Sequence, residues 1–292
     1  MAASSEATNS TYMTTSSTPK PLGGSSGSVK PTLLAFHGSG SNSTIHTVQL
    51  ARLSRFLKKD FEIESMEGPF PCPAGPGILP FFEGMGPYKR WVPPSEKLTF
   101  DGMKDGIGMR VMPEEVEELV RSTVQRIRSQ GGRVVGLIGF SQGTKVVAGL
   151  LRGCEIRRAL ASEEHRQAVW KETDWCEFSF GLSFCGSYPP PLTPRQTLHL
   201  ITESELSKED KFKLETSKIQ IPTLHVQGEV DEWKWTGKLL IDGCYEVAEG
   251  KSEVWEHEGG HHYPQKMEVT EGVVEWVQKT WERAKEGEQT AQ

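Results

Sequence analysis

The sequence predicts an α/β fold: a mostly parallel central sheet with helices on both faces and a lid-like insertion rich in glycine, proline and aromatic residues. Three observations predict it. Short apolar runs alternate with helix-compatible stretches in the order β-α-β, insertion, then α-β-α-β and onward to a final β-α-β-α. Alternation of this kind builds a parallel sheet covered on both sides. Four of the runs end in loops with chemically useful residues, after positions 36, 140, 226 and 256. In such sheets the loops beyond the strand C-termini carry the working residues. Finally, residues 68–110 are punctuated throughout by Gly and Pro and interleaved with aromatics.

In chain order, residues 1–29 are rich in Ser, Thr and Gly and poor in large apolar side chains, which reads as a disordered tail. A single domain is expected over 30–286. Pro31 to Phe36 is a short apolar strand running into His37-Gly38-Ser39-Gly40-Ser41-Asn42. Ile45, Val48, Leu53, Phe56 and Leu57 recur near helical spacing, which predicts an amphipathic helix over 44–58. Phe61 to Met66 alternates apolar and polar residues as a strand does. The stretch 68–110 then holds Phe70, Phe81, Phe82, Tyr88, Trp91 and Phe100, too aromatic for a solvated linker. Long ordered loops inside a domain tend to be functional. The stretch is read as a lid or pocket wall, with a packed surface excursion as the alternative.

Pro113 suits the first position of a helix. Glu114, Glu115, Glu117 and Glu118 suit the positive end of its dipole, and Gly131-Gly132 ends it. Val134 to Ile138 is an apolar run entering Gly139-Phe140-Ser141-Gln142-Gly143, with a helix-compatible segment from Thr144 to Leu151. Residues 155–175 are polar and helix-compatible. Phe178 to Ser187, Ile219 to Val226 and Lys251 to Glu256 read as strands, and Trp235 to Val247 as a helix. The last helix carries Val273, Val277, Trp281 and Ala284 on one face, and residues 287–292 are expected to fray.

Composition narrows the function. Lys plus Arg is 33 against 39 for Asp plus Glu, a net charge of −6 with no basic block, so nothing favours nucleic-acid binding. No run of about 18 apolar residues exists to span a membrane. Cysteine is sparse, at Cys72, Cys154, Cys176, Cys185 and Cys244, with no C-x-x-C pair. A reduced, cytoplasmic protein is expected. No phosphate-binding glycine motif supports nucleotide chemistry. The oligomeric state is left open.

The chemistry centres on Gly139 to Gly143, a G-x-S-x-G pattern between a strand and a helix, which reads as a nucleophile elbow with Ser141 at the turn. A serine that only caps the helix is the alternative. A serine hydroxyl needs a base within reach, and the base an orienting acid. Asp231, five residues past the 221–226 strand, is the candidate acid, with Glu229, Glu232 and Asp242 as rivals. His261, after Gly259-Gly260, is the candidate base, with His257 and His262 as rivals. The order Ser, Asp, His is that of the α/β-hydrolases. An oxyanion needs preorganised N–H donors. Gln142, next to the nucleophile, supplies one candidate. The loop after the first strand supplies the other, Ser39 first and Gly40 second. His257-Glu258-Gly259-Gly260-His261 also matches the H-E-x-x-H zinc pattern. That site requires a helix, and two central glycines after a strand-like run argue against one. No metal ligand set is expected.

On AFHGSGSN (35–42), ESMEGPFPCPAGPG (64–77), GFSQG (139–143), LHVQGEVDEW (224–233) and HEGGHHYP (257–264) the chain resembles the fungal family of serine hydrolases within the α/β-hydrolase fold. The human ovarian-cancer-associated hydrolase-like proteins belong to the same family. The resemblance implies a triad of Ser141, Asp231 and His261, esterase or thioesterase activity, and no metal or organic cofactor. Several fungal members look like stand-alone thioesterases that release a polyketide from its acyl carrier protein, and the stretch after Glu67-Gly68-Pro69 is similar to that branch. One departure is Trp233-Lys234-Trp235, unusually bulky just after the acid. The expected function is hydrolysis of an acyl thioester or ester, with an apolar acyl chain against the insertion. A general small-ester carboxylesterase, or a non-catalytic binding protein on a hydrolase scaffold, are the alternatives.

Overall fold

Alternate side chains of the first strand feed two different cores. Leu33 and Ala35 pack into one, Leu34 and Phe36 into the other, and all are fully buried. The computed structural model describes residues 29–97, 99–161, 171 and 173–290. The first 28 residues, where the tail was expected, lie outside them, as do 162–170 and 172 of the polar stretch 155–175.

The elements run β1 (Thr32–Phe36), α1 (Ser43–Gln49), α2 (Ala51–Leu57), β2 (Glu62–Met66), β3 (Phe70–Pro71), β4 (Lys89–Arg90), α3 (Phe100–Lys104) and α4 (Glu114–Ser129). They continue with β5 (Val134–Phe140), α5 (Gly143–Leu160), β6 (Phe180–Phe184), α6 (Arg195–Glu203) and α7 (Lys208–Thr216). The chain closes with β7 (Thr223–Gly228), α8 (Lys234–Cys244), β8 (Ser252–His257) and α9 (Met267–Thr290).

The main sheet has six strands in the order β2-β1-β5-β6-β7-β8, and every neighbouring pair is parallel. The inner strands read as unbroken apolar runs because both of their faces are covered. One face packs on Val116, Val120 and Val124 of α4, Val146 to Leu151 of α5 and Leu240 of α8. The other packs on Leu53 and Leu57 of α2 and Val273, Val274 and Val277 of α9. This is the α/β-hydrolase arrangement that the sequence predicted. After β1 the chain lays β2 on one side and β5 on the other. Strand order reverses there, so a crevice opens at the C-terminal ends of β1 and β5.

Several elements differ from the expectation. The helix over 44–58 is two segments meeting at buried Leu50. Asn42 caps the first, its side-chain oxygen accepting from the Ile45 N–H at 2.8 Å. The insertion contains the β3–β4 pair and α3, all too short for a periodic signal. Neither α6, which buries only Thr197 and Ile201, nor α7, which buries nothing and has no apolar stripe, was expected from the sequence. α9 continues to Thr290, where fraying from 287 was expected, and Arg133, just before β5, pairs with Glu288 in its last turn. Among the described residues no helix is long and apolar enough to cross a membrane.

Candidate active site

Ser141 sits at the end of β5 with φ of +49°, one of two non-glycine residues with positive φ among those described. An L-residue held there costs roughly 1–3 kcal/mol, so the surroundings must over-determine it. The Ser141 N–H donates to the Phe184 carbonyl at 3.0 Å. Its own carbonyl accepts from the Thr144 N–H at 2.9 Å and the Thr144 hydroxyl at 2.6 Å. The same hydroxyl oxygen accepts from the Ser187 N–H at 2.8 Å, tying the elbow to the loop after β6. The flanking glycines are steric necessities. A Cβ on Gly139 would stand 2.8 Å from the Thr144 Cα, and one on Gly143 would stand 2.1 Å from the Phe36 carbonyl oxygen. These contacts bring the N-terminus of α5 against the end of β1, and with it the loop from His37.

That loop is braced on both sides. His37 is fully buried. Its Nδ1 bonds the Gly38 carbonyl at 2.7 Å, and its Nε2 accepts from the Gly68 N–H at 2.9 Å. The two bonds fix the Nδ1–H tautomer. Burial lowers its pKa against the opposing pull of the Gly38 carbonyl and the Glu67 charge. His37 is thus a neutral brace. The Gly40 N–H is committed to the Lys89 carbonyl at 2.9 Å. By contrast, the N–H groups of Ser39 and Gln142 have no partner among the described residues. The Gln142 side chain is engaged, its Oε1 accepting from the Trp91 N–H at 2.7 Å. Trp91, fully buried in the insertion, also donates its indole N–H to the His37 carbonyl at 2.7 Å.

Asp231 and His261 meet at the far side of the crevice. The His261 Nδ1 lies 2.8 Å from Asp231 Oδ2. Asp231 Oδ1 accepts from the Trp233 N–H at 2.8 Å. The carboxylate side chain is 1% exposed and the imidazole 20%. Burial alone would raise the Asp231 pKa, but the bond and charge of His261 and the Trp233 N–H together hold it below the usual carboxylate value. The two loops touch because Gly228 has no side chain: a Cβ there would lie 2.3 Å from the Gly260 oxygen. Of the pair Gly259-Gly260 only the first is sterically required, since a Cβ on Gly259 would meet the His257 and His262 rings within 2.5 Å while one on Gly260 meets nothing.

The rivals are engaged elsewhere. Asp242 pairs with Lys238 at 2.9 Å and Glu232 with the Trp233 indole at 3.2 Å, while Glu229 is exposed. His257 accepts from the Gly259 N–H, and His262 bonds the Tyr263 carbonyl and the Gly260 N–H. The H-E-x-x-H segment leaves β8 as a loop, so its histidines never share a helical face.

Ser141 and His261 line one cavity of about 610 Å³ with Ser39, Gln142 and Trp233. The insertion contributes Pro76, Ile78, Phe81, Phe82 and Met103 to its wall. No hydrogen bond joins the Ser141 hydroxyl to the His261 ring. Such bonds are often long before substrate binds.

Four contributors escaped the sequence reading: Gly228, Thr144, Trp91 and Cys185. Cys185, the second non-glycine residue with positive φ (+47°), places its sulfur within 4.8 Å of ligand-type atoms of both Asp231 and His261. Its strained backbone has no sequence signature. Gly228 does have one, as a glycine closing the strand that leads to Asp231.

The chain is similar to several known proteins. The chain is 28% identical over 255 residues to esterase FUS5 of Gibberella moniliformis, covering 86% of this chain and 88% of that protein. It is 27% identical to thioesterase FSL2 of Gibberella zeae, covering 87% and 94%. It is 30% identical to the dihydromonacolin L-[lovastatin nonaketide synthase] thioesterase of Aspergillus terreus, covering 80% and 85%. Among solved structures, esterase PE8 is similar with a TM-score of 0.46 and 16% identity, covering 87% of this chain and 94% of that one. The family described as serine hydrolase (FSH1) matches residues 27–273, and the chain therefore belongs to it as a hydrolytic enzyme of the esterase and thioesterase class.

Proposed function

We propose that Ser141 is the nucleophile, His261 the general base and Asp231 the acid that orients it, and that the backbone N–H groups of Ser39 and Gln142 hold the oxyanion. The observation that carries this reading is the His261–Asp231 hydrogen bond, 2.8 Å long, beside a cavity that Ser141 also lines. With Nδ1–H donated to Asp231, Nε2 is left as the basic nitrogen. It takes the Ser141 proton as Oγ adds to the acyl carbonyl. The tetrahedral oxyanion is held by the two N–H groups, at the positive end of α5. Collapse breaks the carbon–sulfur or carbon–oxygen bond, and the imidazolium passes its proton to the leaving thiol or alcohol. Water, deprotonated by the same nitrogen, then attacks the acyl-serine and frees the acid and Ser141.

The substrate we favour is an acyl thioester with a large apolar acyl group, such as a polyketide on the acyl carrier protein of its synthase, in secondary-metabolite biosynthesis in the cytoplasm. The names of the thioesterase relatives support the thioester, and the Phe, Met and Trp wall supports the apolar chain. Residues 30–286 act as one catalytic domain, with 68–110 as the pocket wall. The test is labelling by a fluorophosphonate probe, abolished by Ser141→Ala, together with kinetics on matched acyl thioesters and oxygen esters. Absence of labelling in folded protein favours a binding protein on a hydrolase scaffold. Faster turnover of small oxygen esters favours a general carboxylesterase. A chelator is expected to leave turnover unchanged.

A further inference from the structure

The bulky Trp233-Lys234-Trp235 segment has a structural partner in the insertion. Phe100, the first residue of α3, stacks on the Trp233 indole with ring centroids 5.6 Å apart and planes 13° apart. It also stacks on Trp235 at 6.4 Å and 29°, and the two indoles lie 6.5 Å from each other. Apart from this aromatic cluster little holds α3. None of its five residues is buried, and Phe100 itself is 60% exposed. Its N-cap is local, the Thr99 hydroxyl oxygen accepting from the Gly102 N–H at 3.0 Å. Yet the same short helix puts Met103 into the cavity wall, facing a space that Trp233 also lines.

Trp233 therefore stands at a junction. Its backbone N–H holds Asp231 Oδ1, one side of its indole environment is the cavity, and Phe100 of the insertion stacks upon it. A large exposed aromatic on a helix without a core gains little from staying ordered unless the stack itself, or something bound behind it, holds it there.

We propose that Trp233 is the specificity-determining residue for the acyl group and Phe100 its positioning partner. Their stack closes α3 over a long or ring-bearing apolar acyl chain, which packs against the indole and Met103. An acetyl group fills only a small fraction of the cavity and is turned over without help from the stack. This deepens the proposed function and rests on Ser141 being the nucleophile.

The experiment compares acetyl and decanoyl thioesters of N-acetylcysteamine, with fluorophosphonate labelling of Ser141 run in parallel. Phe100→Ala, at an exposed position outside the cavity lining, is expected to keep wild-type labelling and acetyl turnover. For the decanoyl substrate it raises KM roughly tenfold, the scale of one stacked aromatic contact, with kcat held. Trp233→Ala lowers the decanoyl-to-acetyl ratio of kcat/KM by roughly tenfold or more. Trp233→Phe, which keeps an aromatic face, recovers part of that ratio. If labelling is intact and both alanine variants keep the wild-type ratio, the specificity assignment is overturned while the nucleophile stands. If wild-type protein is not labelled at all, the nucleophile falls, and this inference with it.

Discussion

Gly143 lies so close to Phe36 that a methyl group on it would sit 2.1 Å from the Phe36 carbonyl oxygen. This contact, between the first residue of α5 and the last of β1, docks the Ser141 turn onto the loop that carries Ser39, the proposed nucleophile turn and oxyanion loop. Gly143→Ala is expected to force the two apart, costing about 3 kcal/mol as an overpacked site and abolishing fluorophosphonate labelling. Denaturant midpoints and labelling rates check both effects. Wild-type stability and labelling in the variant would show that the docking is slack.

The glycine pair before His261 provides a sharper contrast. A Cβ on Gly259 would stand 2.4 Å from a His262 ring carbon, whereas one on Gly260 has open space around it. Gly259→Ala is expected to lower kcat/KM by roughly a hundredfold by shifting the histidine loop, since small misplacements cost that much. Gly260→Ala should stay near wild type. Equal losses in both variants would mean that backbone freedom, and not ring packing, sets the loop.

Trp91 links the insertion to the loops of His37 and Gln142, donating its indole N–H to the His37 carbonyl and its backbone N–H to the Gln142 side chain at 2.7 Å each. Trp91→Phe keeps the backbone bond and most of the packing but leaves the His37 carbonyl buried without its donor, worth about 1–3 kcal/mol. The loop carrying Ser39 loosens. The expected result is a fall in kcat of roughly tenfold or more with KM little changed, as for partial loss of oxyanion stabilisation. Steady-state kinetics on one thioester decide it; a pure KM effect would assign Trp91 to substrate binding.

These contacts show how much was legible in the sequence. The strand runs and the order of Ser141, Asp231 and His261 could be read because buried parallel strands are uniformly apolar and a nucleophile elbow needs glycines at fixed offsets. What could not be read lies between segments distant in sequence. That Gly40 spends its N–H on Lys89, leaving Ser39, depends on where the insertion folds back. Trp91 reads as one aromatic among several until its indole is seen on His37. Cys185 carries its strain in the backbone. The bulk after Asp231, a departure from the family pattern, acquires a reason only when Phe100 is found stacked on it.

Asp231 tests the electrostatics. Its pKa is lowered in the fold, so its contribution to stability is fully present above the unfolded carboxylate value of about 4 and is lost as pH falls through the folded value. Asp231→Asn removes that contribution and should flatten the acid side of the stability profile. In catalysis the asparagine favours the wrong imidazole tautomer, and kcat should fall by about 10³–10⁴. Urea unfolding between about pH 3 and pH 6 and kinetics near neutrality read the two effects separately.

Lys145, on α5 one turn beyond Ser141, is 2% exposed, with its Nζ 3.2 Å from the Tyr188 carbonyl oxygen and 4.1 Å from the Tyr188 ring centroid. Burial drives its pKa down to about 7, against the weaker opposing pull of Cys244 and Glu96. The unfolded chain therefore binds this proton across the range from the ordinary lysine value down to about 7, and the folded chain does not. Stability contributed at this site rises with pH through that window, by at most about 1.4 kcal/mol per pH unit. Lys145→Met removes the penalty and also the Tyr188 contacts, a loss that does not vary with pH. The stability difference between variant and wild type should then favour the variant most at about pH 7 and shrink as pH approaches 10. The buried thiols of Cys154, Cys176 and Cys185 titrate the opposite way in both proteins and cancel in the difference, whereas Cys244 interacts with Lys145 and is replaced by Ser in both backgrounds. Denaturant midpoints at about pH 7.5 and about pH 9 measure it, and a difference independent of pH would mean that Lys145 keeps its proton in the fold throughout.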